Sequence, residues 1–256
     1  MSRKLATLLS ALLFWALPAT AQDEGVLYQL STIQALMEGV YDGAAPVGGL
    51  KSRGDMGIGT FDGLDGEMVV LDGKVYQVKA DGSVSVVPDE LTTPFATVAF
   101  ARPQIVKEVG PLASFADLEK AIDAMLPSAN LFYAVRVKGR FGYLKARSVP
   151  SQRKPYPKLT EVVKIQSVFE FRDTTGVLVG FRSPEFAKGL TVPGYHLHFL
   201  DATRSKGGHV LDCAVASARV EITVLPRWRI DLPEHGDFAD KPLAHTRDED
   251  VRRVEK

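Results

Sequence analysis

Cysteine is almost missing from this chain: Cys213 is the single one in 256 residues. No intramolecular disulfide can form, so the fold must be held by burial, a metal or subunit contacts. Val210, Leu211, Ala214 and Val215 surround that cysteine in sequence, which reads as a buried small hydrophobe and not as a nucleophile. Charge of one sign is missing too, because 31 Lys and Arg balance 31 Asp and Glu. Without a basic excess there is no electrostatic footprint for nucleic acid or anionic lipid, and both are excluded as partners. Internal repeats and low-complexity tracts are absent. So is any apolar run approaching the roughly 20 residues that cross a bilayer as a helix; the longest that is free of charge spans the 13 residues from Leu5 to Leu17.

That short run is the first thing present. Arg3 and Lys4 precede it and Ala19-Thr20-Ala21 follows it. This is the charged start, apolar middle and small-residue exit of a secretory signal peptide, residues 1–21. Cleavage after Ala21 starts the mature protein at Gln22, exported to the periplasm or secreted, with an uncleaved anchor as the alternative. Loss of Arg3 and Lys4 leaves 29 basic against 31 acidic residues, a net of −2, in 235 residues. A mature chain of that size buries a large core in one or two domains and needs no membrane.

Two short helices are expected. Ser31 caps one that runs through Met37, and Ser114 with Asp117 opens another over Leu118, Ile122 and Met125 that Pro127 stops. Most of the remainder alternates as strands. Asp72-Gly73 and Asp81-Gly82 predict hairpin turns between residues 67–71, 75–78 and 83–87. Residues 95–101 continue the meander. Hairpins are likewise expected at Lys138-Gly139, between 131–137 and 141–147, and at Asp173-Thr-Thr-Gly176, between 168–172 and 177–182. Three prolines between Pro150 and Pro157 rule out helix or central strand there and mark a domain connector. Residues 194–200 pair with 209–215. From Leu232 the apolar periodicity fades into a polar tail. The expected fold is α+β: two mixed or antiparallel β-sheet domains with few helices, residues 22–150 and 151–256, with a metal site on a C-terminal sheet.

The metal expectation comes from spacing. His196 and His198 alternate in a predicted strand and project from one face, opposite Leu197 and Phe199. A turn near residues 206–208 returns His209 beside them. Three imidazoles on one face form a site for a borderline metal with a coordination position left open, whereas His235 and His245 read as surface residues. Spacing does not choose a carboxylate partner among the 31 acids. The glycine-dense segment Gly54-Asp-Met-Gly-Ile-Gly-Thr-Phe-Asp-Gly-Leu-Asp-Gly-Glu67 implies tight turns or close backbone approach. It is no phosphate loop, since no Lys-Ser/Thr ends it and no long helix follows.

Read in order, that segment through Met68, Arg147-Ser-Val-Pro-Ser-Gln-Arg-Lys-Pro-Tyr156, Val179-Gly-Phe-Arg-Ser-Pro184, Gly194-Tyr-His-Leu-His-Phe-Leu200 and Gly207-Gly-His-Val210 resemble the α-acetolactate decarboxylases over nearly all of the mature region. The resemblance implies a dimeric Zn2+ enzyme of two sheet-containing domains that converts 2-acetolactate to acetoin and carbon dioxide through a metal-stabilised enediolate. It implies His196, His198 and His209 as zinc ligands and Glu67 as the acidic site residue beside the metal. It further implies Arg147 as the site arginine, Glu255 as a tail glutamate folding back to the metal and substrate, and Thr60 near the substrate. Met56 stands where an aromatic is more often expected. The proton donor is left among Glu67, Glu255, Arg147 and a zinc-bound water. Two competing readings are a cupin-like metal protein, disfavoured because residues 201–204 lack the usual Glu, and a non-catalytic periplasmic zinc-binding module.

Overall fold

The structure, a computed structural model, describes residues 24–243 and 248–255. The leader expected at residues 1–21, the mature start at Gln22 and His245 lie outside these residues. Among them no helix is long and apolar enough to cross a membrane.

Two large sheets build the molecule, beside a two-stranded one of Ala45–Pro46 and Thr92–Thr93. The first has seven strands in the order Arg227–Asp231, Val26–Leu30, Ala96–Ala99, Met56–Thr60, Glu67–Leu71, Lys74–Val78 and Val84–Val86. Its first pair is parallel and the rest antiparallel, so the sheet is mixed. The turn at Asp72-Gly73 forms as expected, with both residues at positive φ (51° and 74°), the type I′ geometry that matches strand twist. Its glycine-rich strand Met56–Thr60 is squeezed: a Cβ on Gly57 would meet the Thr97 carbonyl at 2.3 Å, and one on Gly59 the Phe95 carbonyl at 2.4 Å. The glycines therefore serve close backbone approach.

The second sheet contains Phe132–Ser148, Ser167–Ser183, Gly194–Asp201, Gly207–Leu225 and Ile105–Val109. Phe132–Ser148 also pairs with Gly207–Leu225, so four of these strands form a closed ring. Here two sequence expectations are corrected. Lys138-Gly139 and Asp173–Gly176 make no turns; each lies inside an unbroken 17-residue strand, and the two strands pair with Gly139 opposite Gly176. The glycines are again crowding sites, because a Cβ on Gly139 would lie 2.2 Å from the Ser217 carbonyl and one on Gly176 2.5 Å from that of Leu200. Sheet membership also crosses residue 150, since Phe132–Ser148 belongs to the second sheet and Arg227–Asp231 to the first.

Three apolar clusters matter for the site. Inside the ring, Tyr133, Val135, Phe141, Leu144, Leu197, Phe199 and Cys213 are buried, covered by helix Phe115–Asp123 through Leu118 and Ile122. Full burial of such a side chain contributes roughly 1.5–3 kcal/mol. That helix begins as expected, with the Ser114 hydroxyl accepting the Asp117 N–H. Burial, aided by Asp212 and Glu119, pushes the Cys213 thiol up to about 12, consistent with an inert core residue. Met56, Ile58, Val69, Val78, Val177, Val179 and Leu200 pack the two sheets together. The third cluster joins helix Ile33–Met37 to Leu64, Phe95, Val149, Leu159 and the tail residues Val251 and Val254. The helix cap is Thr32, whose hydroxyl accepts from Ala35 N, and not Ser31, which adopts φ 65°. The tail is also not the solvated run its composition implied: residues Asp248–Glu255 form a helix whose two valines are buried.

Candidate metal centre

His196 and His198 project from one face of strand Gly194–Asp201, while Leu197 and Phe199 turn into the ring core. Strand register sets His198 opposite His209. The three ring centroids are then 4.9 to 5.3 Å apart. One nitrogen from each ring lies within 4.8 Å of the others, and the Nε2 atoms of His196 and His198 approach to 3.2 Å. Burial and the nearby Arg147 guanidinium keep these rings neutral, His196 being pushed down to about 3 and His198 and His209 well below the ordinary value.

Hydrogen bonds decide which nitrogens stay bare. His198 Nδ1–H donates to the Met68 carbonyl (2.8 Å), leaving Nε2 without a proton in the neutral ring. His209 Nε2–H donates to the Glu255 carbonyl (3.1 Å), which leaves Nδ1 bare; this atom is buried with no hydrogen-bond partner among the described residues. A buried acceptor left unmatched costs on the order of 1–3 kcal/mol, and a cation held between these nitrogens removes that cost. The donor set therefore fits a metal, with both orienting contacts supplied by main-chain carbonyls.

Two carboxylates flank the triad. Glu67 begins the strand paired with Met56–Thr60, opposite Thr60, and its Oε2 lies 3.7 Å from His198 Nε2. Glu255, brought in by the tail helix, places Oε2 3.3 Å from His196 Nε2 and 4.0 Å from His209 Nδ1. Burial pushes both up to about 7; Arg147 opposes this at each, and Glu255 adds to it at Glu67. Arg147 sits opposite His209 in the neighbouring strand, buried, and its Nη1 donates to Gln166 Oε1 at 3.2 Å. Thr60 lines the same cavity with its hydroxyl proton given to the Gly66 carbonyl (2.7 Å). All seven residues expected at the site are thus gathered around one cavity, whose other wall is Leu36, Leu64, Phe95, Val149 and Leu159. His235 is exposed, as expected. The Met68 carbonyl, Gln166 and the apolar wall were not anticipated. A carbonyl has no signature in sequence, and the wall residues come from five separate segments.

Fold and site define a class: a mixed-sheet α+β protein carrying a three-histidine group that could hold a metal ion, with two buried carboxylates and an arginine beside it. The family model for α-acetolactate decarboxylase matches residues 27–245. An α-acetolactate decarboxylase of Methanosarcina mazei is 52% identical over 231 residues, 90% of this chain and 80% of that protein. One of Methylococcus capsulatus is 45% identical over 233 residues, 91% of this chain and 90% of its own. The crystal structure of the Bacillus subtilis enzyme superposes with a TM-score of 0.88 at 38% identity, covering 90% of this chain and 99% of that one. The chain belongs to the α-acetolactate decarboxylase family.

Proposed function

We propose that this protein is a zinc-dependent decarboxylase that converts 2-acetolactate to acetoin and carbon dioxide. The observation that carries the reading is the convergence, around one cavity, of three neutral imidazoles, two carboxylic groups with pKa about 7 and one buried guanidinium. The activity for which the family and its members are named supports it. Imidazole nitrogens beside carboxylates suit zinc, with His196, His198 and His209 as ligands and Glu67 and Glu255 near enough to join them. When bound, zinc supplies a Lewis acid that stabilises negative charge developing on the substrate's ketone oxygen.

The substrate's carboxylate is β to its ketone. When the bond to the carboxylate breaks, carbon dioxide leaves and the electron pair is accepted by the carbonyl as an enediolate, so no thiamine or pyridoxal sink is required. Arg147 holds the departing carboxylate and its neighbouring oxygens through its planar fork. The Glu67 carboxyl is pushed up by burial to about 7, toward the range where a group exchanges its proton at neutral pH. It therefore has a proton to give to the carbon that lost carbon dioxide, and delivery to one face yields one enantiomer of acetoin. Glu255 reaches the same cavity from the tail helix, its Oε2 3.3 Å from His196 Nε2. Thr60, its proton committed to Gly66, offers substrate an acceptor only. The apolar wall receives the two methyl groups and excludes water. Purified protein incubated with 2-acetolactate should release acetoin and carbon dioxide in equal amounts; absence of both would sink the reading.

Export and dimerisation belong to the same proposal. The leader-like residues 1–21 support cleavage after Ala21, which N-terminal sequencing of protein recovered outside the cytoplasm tests; a retained Met1 would contradict it. Resemblance to the family supports a homodimer, and a solution mass near 28 kDa by light scattering would contradict that.

A further inference from the structure

We infer that Asp201 is a positioning residue of the metal centre: its carboxylate locks the turn that sets His209 opposite His198. The inference rests on the metal reading given above. Strand Gly194–Asp201 returns into Gly207–Leu225 through a short turn, and the two strands share only three residue pairs there: His198 with His209, Phe199 with Gly208 and Leu200 with Gly207. Two of those pairs have glycine on one side. Glycine-rich pairing specifies register weakly, and a slip of one residue would send the His209 ring to the opposite face.

The longer ladder between Gly207–Leu225 and Phe132–Ser148 does not carry its register unbroken to this point. It shifts between Lys145 and Ala146, which lie opposite Asp212 and Val210, so the segment holding His209 opposite Arg147 is beyond the irregularity. Beyond the shift only two pairs, Ala146 with Val210 and Arg147 with His209, hold this end of the strand from that side, and the turn device that adds to them is Asp201. The residue is 7% exposed. Oδ1 accepts the Ser205 N–H at 2.7 Å and the Lys206 N–H at 3.0 Å, while Oδ2 accepts the Thr203 hydroxyl. The main chain of the same residue closes the loop by donating to the Lys206 carbonyl (2.9 Å), and Ala202 N donates to Thr175 O (2.9 Å), tying the turn to the neighbouring strand. Arg204 takes φ 60° inside this turn, a conformation that a non-glycine residue holds only when its surroundings enforce it.

The hydrogen-bond pattern makes a discriminating series. In Asp201→Asn the amide oxygen replaces Oδ1 and accepts both N–H groups, and the amide nitrogen replaces Oδ2 and donates to Thr203. Asp201→Ser reaches fewer donors, and Asp201→Ala none. Zinc affinity of the purified, chelator-stripped protein, measured by competition with a chromophoric chelator, should stay within about threefold for D201N. It should fall by about 10- to 100-fold for D201A, the range seen when groups orienting metal ligands are removed, with D201S between. The visible spectrum of the cobalt-loaded protein should change in D201A and stay as wild type in D201N, a readout that loss of stability alone does not move. If D201A does not fold, D201N against D201S carries the comparison. Zinc affinity and cobalt spectrum unchanged across the series, in a wild type that binds zinc, would overturn the inference. A wild type that binds no zinc overturns the metal reading itself and takes this inference with it.

Discussion

His209 Nε2–H donates to the main-chain carbonyl of Glu255 across 3.1 Å, joining one histidine of the triad to the last turn of the tail helix. One residue thereby acts twice. Its carbonyl leaves His209 Nδ1 bare toward the other two imidazoles, and its side chain places Oε2 beside His196. Substituting Glu255→Gln removes the second role and keeps the first. We expect zinc affinity within a few-fold of wild type and turnover lowered by at least about tenfold, in line with loss of one acid–base or electrostatic group. Deleting residues 248–256 removes both, and zinc affinity should fall by about 10- to 100-fold as well. Equal zinc affinity in the truncated and full-length proteins, by chelator competition, would remove the carbonyl from its role.

Glu67→Gln should leave zinc bound, because all three histidines remain, while turnover falls by a factor on the order of a hundred or more. Steady-state rates with metal content measured on the same sample check this. Unchanged turnover would eliminate Glu67 as the group that handles the proton.

Arg147→Lys retains a positive charge and loses the planar fork. One hydrogen bond to a charged group contributes about 1.5–3 kcal/mol, so kcat/KM should drop by about 10- to 150-fold. The Gln166 contact of Nη1 is lost at the same time. Recovery of full kcat/KM by lysine would show that charge alone suffices there.

Asp201 gives the pH prediction. Burial acts to raise its carboxyl, and the hydrogen bonds from the Thr203 hydroxyl and from the Lys206, Ser205 and Thr203 amides outweigh it, holding the group below the ordinary 3.8. A folded-state value below the unfolded one contributes stability that is fully present above about pH 4 and lost as pH falls through the folded value. The stability gap between wild type and Asp201→Asn, from urea unfolding of chelator-treated protein, should therefore be largest near pH 6 and shrink toward pH 3. A gap that widens on acidification would contradict the assignment.

Part of this arrangement is legible in the sequence. The alternation of His196 and His198 is a period-two argument that the strand register bears out, but the turn that returns the chain to His209 lies at residues 202–206 and not at 206–208, since Gly207 and Gly208 already belong to the following strand. The Ser114 cap and the Asp72-Gly73 turn were readable because each depends on a few adjacent residues. Gly139 and Gly176 misled because a glycine that relieves crowding inside a long strand looks in sequence like one that makes a turn. Spacing alone did not find the two carboxylates. Glu67 arrives with the other sheet, and Glu255 is separated by 46 residues from the histidine it touches; family resemblance supplied both. Valines 251 and 254 explain why the polar tail folds back: their burial against Leu159 and Val162 anchors an otherwise charged helix.

The central claim is that three histidines hold one catalytic zinc in a decarboxylase. Its most direct test strips the metal from purified protein and titrates zinc back while acetoin release from 2-acetolactate is followed. Activity should be absent at the start, rise linearly and level off at one equivalent of zinc per chain, and His198→Ala should abolish the rise. Full activity in the stripped protein, or a His198→Ala variant restored at the same single equivalent, would contradict the account.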